Sequence, residues 1–152
     1  MDSRSDLENR ALRYLARREY SRLELRQKLS THPHGHAPEV LTEVLDKLEQ
    51  AGYLSAQRAV EQIIRNRRSR FGSQRILHEL KTKGFDDHTI DMALSGLHAT
   101  ETEAAVAVWQ KKFGVLPGSR EERAKQIRFM MSRGFSMKMI NQVFSQVSEG
   151  GR

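Results

Sequence analysis

The chain contains no cysteine, only three prolines, and few aromatic residues, which make up 7% of its 152 residues. Without cysteine there can be no disulfide, no thiol nucleophile and no cysteine-ligated metal, a composition that suits a reducing cytoplasm. No apolar stretch resembles a signal core or a membrane span, so we expect neither secretion nor membrane insertion. No long run alternates apolar and polar residues as a half-buried strand does. These absences favour a cytoplasmic, helical protein.

Basic residues outnumber acidic ones, and the excess is confined to part of the chain. There are 26 Lys and Arg against 19 Asp and Glu, a formal net charge of +7, yet residues 1–55 carry nine of each sign. The excess therefore lies in residues 56–152. It includes the stretch RNRRSRFGSQRI (65–76), which holds five arginines and no acidic residue. This balance favours an anionic partner such as nucleic acid, although a charge run is more often only a solvated face.

The periodicity of apolar residues is helical along nearly the whole chain. Three Ser/Thr-x-x-Glu capping boxes, beginning at Ser21, Thr100 and Ser119, predict helix N-termini. Five glycines predict helix ends, at positions 35, 52, 84, 114 and 134. We therefore predict nine helices, over residues 5–19, 21–31, 38–51, 55–70, 73–83, 87–98, 100–113, 119–133 and 136–147.

The nine predicted helices are three copies of one pattern. Gly35, Gly84 and Gly134 are each followed by four apolar residues at the same offsets. These residues are Leu41, Val44, Leu45 and Leu48, then Ile90, Ala93, Leu94 and Leu97, then Ile140, Val143, Phe144 and Val147. An apolar pair also precedes each glycine, as Leu25/Leu29, Ile76/Leu80 and Ile127/Met130. Four shared offsets in three copies indicate an internal repeat.

The repeat predicts an all-α fold, an elongated array of three tandem three-helix repeats. We place the repeats at residues 1–54, 55–99 and 100–148, followed by a C-terminal tail at 149–152. An elongated array exposes much surface for its mass, and this shape favours binding along a polymer over enclosing a small substrate.

Residues that could carry chemistry are few. His32, His34 and His36 in HPHGH could bind a divalent metal, but a solvated loop is the better interpretation, because alternate histidines alone do not build a closed site. Asp86 follows a Gly-Phe turn, where a helix cap is expected. Trp109 is expected in the core. We find no nucleophile elbow, phosphate-binding glycine loop or metalloprotease helix, so we expect neither an enzyme nor a cofactor.

Helical angles sort the arginines of the opening basic stretch. At 100° per residue, Arg65 and Arg68 face away from the apolar side of their predicted helix, and we expect them in solvent. Arg67 falls on the apolar side, where an unpaired charge would be costly, so we expect a structural role, with a carboxylate or helix-end carbonyls as its partner. Arg70 lies at the border and Arg75 opens the next helix.

A second basic series occupies the third repeat, and two series on successive repeats could form one track for phosphates. The candidate contacts to a partner are Arg65, Arg68, Arg70, Arg75, Lys81, Lys83, Lys111, Lys112, Arg123, Lys125, Arg128 and Arg133. The residues predicted to be structural are Arg67, Gly84 and Gly134.

Five motifs occur along the chain in order: ALRYLARREYSRLELRQKL (11–29), GYLS (52–55), GSQRI (72–76), ELKTKG (79–84) and KQIRFMMSRGFS (125–136). This ordered set resembles the RecX family of bacterial regulators of the RecA recombinase. The resemblance spans about residues 10–147. Positions that match the family pattern are Arg58, Arg67, Gly72, Arg75, Glu79, Gly84, Lys125, Arg128, Arg133 and Gly134.

The resemblance implies a regulator that binds RecA–DNA filaments along their helical groove and modulates ATPase, strand exchange and co-protease activity, with inhibition as the expected direction. It also implies binding to single- and double-stranded DNA. We expect a monomer with no membrane partner. The alternative is a stand-alone basic helical DNA-binding module without a recombinase partner.

Overall fold

The computed structural model describes residues 3–31 and 35–150, and this part of the chain contains eight α-helices and no strand. The helices are α1 (Ser3–Arg17), α2 (Arg22–Ser30), α3 (Pro38–Gln50), α4 (Ala56–Arg67), α5 (Ser73–Thr82), α6 (Asp87–Lys112), α7 (Arg120–Ser132) and α8 (Met137–Gly150). The prediction of an all-α fold is confirmed. Within the described residues, no helix is both long and apolar enough to cross a membrane.

Two of the predicted helices are one. Helix α6 continues without a break through Thr100, where a capping box predicted a new N-terminus. The Thr100 hydroxyl instead donates to the carbonyl of Gly96, four residues earlier in the same helix. A capping box starts a helix only where the backbone leaves the helical conformation, and no glycine or proline interrupts residues 97–113. The prediction of nine helices was therefore wrong: the described residues form eight, because the predicted helices 87–98 and 100–113 are both part of α6.

The other two capping boxes do begin helices. Ser21 accepts a hydrogen bond from the Glu24 amide, and the Glu24 carboxylate accepts one from the Ser21 amide. Ser119 accepts from the Glu122 amide, whereas the Glu122 carboxylate turns to the amide of Gly118. The five glycines predicted to end helices are also the five glycines with positive φ, and no other described residue has a positive φ.

Two compact units make up the chain. The first contains residues through Gln62 together with Leu80–Ile90, and the second contains Ile63–Glu79 and the residues from Asp91 onward. The three repeat boundaries drawn from the sequence remain predictions.

The core of the first unit joins α1, α2 and α3. Its fully buried residues include Leu25 and Leu29, the pair predicted ahead of the glycine turn, and all four residues predicted after it are buried as well. Since α3 places those four residues at helical spacing, a single stripe of the helix faces α1 and α2.

The core of the second unit joins the C-terminal part of α6 with α7 and α8. Trp109 and Met130 are fully buried, and Ile140, Val143 and Phe144 follow the predicted pattern. Ile127 was predicted as the partner of Met130, but the buried residue is Gln126, and Ile127 is only half-buried. The Gln126 side chain accepts a hydrogen bond from Trp109 Nε1 at 2.7 Å and donates to the carbonyl of Val115, so a polar residue is satisfied inside this core.

Candidate nucleic-acid interface

The junction between α4 and α5 lies in the second unit and carries the opening basic stretch. Helix α4 ends at Arg67, and the amides of Arg70 and Phe71 both donate to the Arg67 carbonyl, which closes a tight turn. Arg70 therefore projects from a turn and not from a helix face, while Arg75 lies in the first turn of α5. Both side chains are exposed.

The turn between α7 and α8 packs directly against this junction. The Gly72 amide donates to the Arg133 carbonyl at 2.7 Å, and the Gln74 amide donates to the Gly134 carbonyl at 3.2 Å. A Cβ on Gly134 would lie 2.6 Å from the Cβ of Arg75, a separation that real side chains do not reach. Gly134 has φ +96° as well, so glycine is needed here for both conformation and space. The contact brings Arg133 beside Arg75.

Two aromatic rings hold the cations in place. The guanidinium carbons of Arg75, Arg70 and Arg133 lie 4.2, 5.4 and 5.5 Å from the centroid of the Phe71 ring. Arg133 also lies 4.9 Å from the Phe129 ring, and Lys112 Nζ lies 5.2 Å from it. Cations within about 6 Å of a ring face are attracted by its quadrupole. The rings therefore favour positions of these side chains close to one another.

A cleft of about 280 Å³ opens between these side chains. Its lining includes Arg70, Lys111, Lys112 and Arg133, and it contains no acidic residue. We call this site the basic cleft and count Arg75, which shares the Phe71 ring with Arg70 and Arg133, as its neighbour. None of these five cations has an ion-pair partner in the part of the chain that the structure describes. Like charges held close together repel one another, and a bound anion offsets that repulsion. The basic cleft therefore attracts anions.

Arg68 does not face solvent, and its prediction as an outward side chain was wrong. Its side chain is only 14% exposed, and Nη2 lies 2.9 Å from Glu101 Oε2 in α6. The Arg68 amide still donates to the Ile64 carbonyl as in a helix, so the backbone direction is not what changed. The helical angle failed because it takes no account of α6, whose Glu101 carboxylate and Leu97 carbonyl cover this side of α4 and bind the guanidinium. A contact with a partner through Arg68 would require breaking this ion pair.

Arg67 has a carboxylate partner. Its Nε lies 2.9 Å from Glu79 Oε1 in α5, and this ion pair raises the pKa of the Arg67 guanidinium above its ordinary value. The Arg67 side chain is 36% exposed, so it lies at the edge of the protein and not on an inner face. Both arginines are half-buried, and Arg68 is the less exposed of the two.

The remaining candidate cations do not line the basic cleft. Arg65, Lys125 and Arg128 are exposed in the second unit, and Arg123 donates to Asn141 there. In the first unit Lys81 is exposed, whereas Lys83 is half-buried and lies 3.7 Å from Glu24. Gly84, predicted to be structural, has φ +84° and packs against Leu23.

No metal centre is present among residues 3–31 and 35–150, where no three His, Asp or Glu side chains converge. The predicted HPHGH loop is only partly covered, since His32 and His34 lie outside the described residues.

Asp86 is a helix cap, as expected: its Oδ1 accepts a hydrogen bond from the Thr89 amide at 2.8 Å. That hydrogen bond lowers the pKa of Asp86 below its ordinary value of 3.8.

Several residues that build the site were not foreseen. Phe71 and Phe129 lie next to the cations of the cleft. Glu101 forms the ion pair with Arg68 and accepts a hydrogen bond from the Ser73 amide. An aromatic residue directly after an arginine run was a usable signal for Phe71. Nothing local marked Glu101, which is 33 positions from Arg68 in the sequence.

Comparisons with known proteins agree with this architecture. Residues 9–48 match the first three-helix domain of RecX, residues 57–94 the second and residues 99–144 the third. The chain is thus built from three tandem three-helix domains. It belongs to the RecX family, a family of regulatory proteins, which confirms the resemblance seen in its motifs.

Relatives named Regulatory protein RecX match over most of their length. The protein of Ralstonia pickettii (strain 12J) is 41% identical over 143 residues, which cover 94% of this chain and 89% of the relative. That of Leptothrix cholodnii is 44% identical over 137 residues, covering 90% and 86%. The crystal structure of RecX from Lactobacillus salivarius shares the fold, with a TM-score of 0.81 at 21% identity, over 95% of this chain and 96% of that one.

Proposed function

We propose that this protein regulates the RecA recombinase by binding RecA–DNA filaments along their helical groove, with inhibition of ATPase, strand exchange and co-protease activity as the outcome. Family membership supports the partner. The observation that carries the mode of binding is the basic cleft, where Arg70, Lys111, Lys112 and Arg133 lie together without an acidic partner. Such a cluster suits DNA phosphates exposed in a filament groove.

The proposed mechanism is steric and electrostatic. Protein held in the groove by its cations obstructs the path of an incoming duplex and the subunit movements that accompany ATP turnover, so filament growth stalls. No covalent chemistry is required, and we propose a cytoplasmic, monomeric regulator and not an enzyme. Arg65 and Arg128 are exposed in the second unit without lining the cleft, and they are secondary candidates for contact with the filament.

A RecA ATPase assay on single-stranded DNA tests the proposal. We expect ATP turnover to fall when the protein is added in amounts well below one per RecA subunit, because blocking filament growth affects many subunits. A matched comparison uses Lys112→Gln in the cleft and Lys138→Gln, which removes the same charge from an exposed position on α8. Inhibition that is unaffected by Lys112→Gln and by Arg70→Gln would refute the role of the cleft, and unchanged turnover with the parent protein would refute regulation.

The alternative, a DNA-binding module without a recombinase partner, rests on the same cations. Co-sedimentation separates the two functions. The salt concentration is first raised until binding to naked DNA is lost, and RecA filaments are then added at that concentration. Retention on the filaments indicates direct contact with RecA, whereas loss from both supports the alternative.

A further inference from the structure

The basic cleft holds more positive charge than a single DNA phosphate requires. Four cations line a volume of about 280 Å³, and Arg75 lies beside them over the Phe71 ring. A phosphodiester in a nucleic-acid strand carries one negative charge, and successive phosphates of a strand are separated by sugars. A chain of directly bonded phosphates places three or four charges within the space of one small cleft. Charge density therefore favours the compact ligand.

Phe129, which lines the cleft, and Phe71, which supports its cations, do not offer an open platform for a base. Cations already lie over both rings, with Arg75 4.2 Å from the centroid of Phe71 and Arg133 4.9 Å from that of Phe129. The edge of one more ring, Phe113, meets Phe129 at a centroid distance of 5.4 Å. Stacking of a nucleobase would first have to displace a guanidinium. Recognition in this cleft is thus directed at phosphate groups and not at bases.

The guanidinium groups of Arg75 and Arg133 are held in position by contacts within the protein. Arg75 Nη1 donates to the Ser132 carbonyl at 3.0 Å, and Arg133 lies between two rings. A planar guanidinium held in one orientation can donate two parallel hydrogen bonds to a phosphate, and little further entropy is lost when it does. Lys111 and Lys112 supply further positive charge from the C-terminal end of α6.

We propose that the basic cleft is a binding site for an oligophosphate group, a chain of directly linked phosphates such as the tail of a nucleoside triphosphate or inorganic polyphosphate. The oligophosphate site deepens the proposed function and rests on it, because both use the same cleft. An oligophosphate bound there competes with DNA phosphates and so regulates attachment of the protein to the filament. The bound anion also removes the repulsion between the α4–α5 junction and the α7–α8 turn, so it stabilises the native state.

The test is titration calorimetry of the full chain, without RecA, DNA or divalent cation, at constant ionic strength. The titrants are sodium tripolyphosphate, ATP, inorganic phosphate, sulfate and a single-stranded tetranucleotide. We expect tripolyphosphate and ATP to bind at least tenfold more tightly than the other three and to raise the melting temperature. Equal binding of tripolyphosphate and ATP identifies the phosphate chain itself as the ligand, and a clear preference for either one identifies its source.

Variants show whether binding occurs in the cleft. Arg70→Gln and Lys112→Gln each remove a charge-assisted hydrogen bond and should weaken tripolyphosphate about tenfold or more, whereas Lys138→Gln should bind as the parent does. The proposal is overturned if tripolyphosphate binds no better than sulfate, if the tetranucleotide matches it, or if both cleft variants bind like the parent. The RecA ATPase assay is independent of this result: inhibition without tripolyphosphate binding removes only the oligophosphate site, and binding without inhibition removes only the regulatory function.

Discussion

Arg68 and Glu101 form an ion pair across the second unit, with 2.9 Å between Nη2 and Oε2 and side chains that are 14% and 10% exposed. Glu101 also accepts hydrogen bonds from the amide and the hydroxyl of Ser73, the first residue of α5. The pair therefore ties the turn after α4 to the middle of α6 and to the start of α5. Each carboxylate oxygen of Glu101 has a donor, as a buried charge requires.

Reversing the charge of Arg68 should destabilise the fold. Arg68→Glu places a second carboxylate against buried Glu101, and breaking a buried ion pair costs about 3–5 kcal/mol. Urea denaturation measures the loss. Arg65→Glu is the matched control, since Arg65 is exposed on α4 and should change the free energy of unfolding by about 0.5 kcal/mol or less. Equal stability of the two variants would contradict the structural role of Arg68.

Adding one methyl group to Gly134 should separate the α7–α8 turn from α5. Gly134→Ala forces an alanine into φ +96° and brings its Cβ to 2.6 Å from the Cβ of Arg75. We expect a loss of about 1–3 kcal/mol in the free energy of unfolding. The control is Gly96→Ala within α6, where a Cβ meets nothing within 4 Å and should stabilise the helix by up to about 1 kcal/mol. The two substitutions should shift the melting temperature in opposite directions.

Removing the amide of Gln126 should leave Trp109 unsatisfied. Gln126→Leu places an apolar side chain of similar size in the core but removes the acceptor of the Trp109 Nε1 hydrogen bond. We expect a loss of about 1–3 kcal/mol in the free energy of unfolding. Trp109 is the single tryptophan of the chain, so its fluorescence reports both the local change and unfolding. Gln146→Leu, at an exposed position of α8, is the control. A Gln126 variant as stable as this control would show that the hydrogen bond contributes nothing.

The Asp86 cap at the start of α6 should make the stability of the protein depend on pH in the acid range. The pKa of Asp86 is lowered in the folded state by the hydrogen bond from the Thr89 amide, so the unfolded chain binds its proton first. The stabilising contribution is complete above the ordinary value of 3.8 and is lost as the pH falls through the lower folded pKa. Asp86→Asn retains a capping oxygen but cannot titrate.

The difference in melting temperature between the parent and Asp86→Asn, measured as a function of pH, isolates this effect. We expect the parent to lose its relative stability only in the acid range. A difference that stays constant at all pH values would show that the carboxylate charge does not matter for the cap.

Salt dependence should report how many cleft cations contact phosphates. If the basic cleft binds DNA, Lys111→Gln and Lys112→Gln should each reduce the slope of log K against log salt concentration by about 0.7–0.9. Fluorescence anisotropy with a labelled oligonucleotide measures the slope, and Lys138→Gln controls for net charge. Slopes that fall equally for all three variants would indicate a diffuse electrostatic attraction and not a defined contact.

Periodic and local signals in the sequence were sufficient for the general architecture. The all-helical fold, the four buried residues after Gly35, three of the four after Gly134 and the five glycines with positive φ were predicted correctly, while Val147 is only half-buried. These features depend on helical spacing and on backbone conformations that only one residue type adopts easily, so they can be read within a few neighbouring positions. The ordered motifs were likewise sufficient to identify the family.

The direction of individual side chains depended on contacts between distant segments. The angular sorting chose Arg67 as the inward arginine, whereas Arg68 is the less exposed of the two, because Glu101 in α6 decides where the Arg68 side chain goes. The apparent helix start at Thr100 was wrong for a related reason, since a local cap signal cannot show whether the chain continues as α6.

By itself the sequence determined that this protein is a helical repeat protein of the RecX family with an excess of positive charge in residues 56–152. Only the tertiary structure decided that Arg70, Lys112 and Arg133 share one cleft while Arg68 is withdrawn from solvent. Helical period and composition are properties of short segments, whereas the electrostatic environment of an arginine is set by which carboxylates and aromatic rings the fold brings within a few ångströms of it.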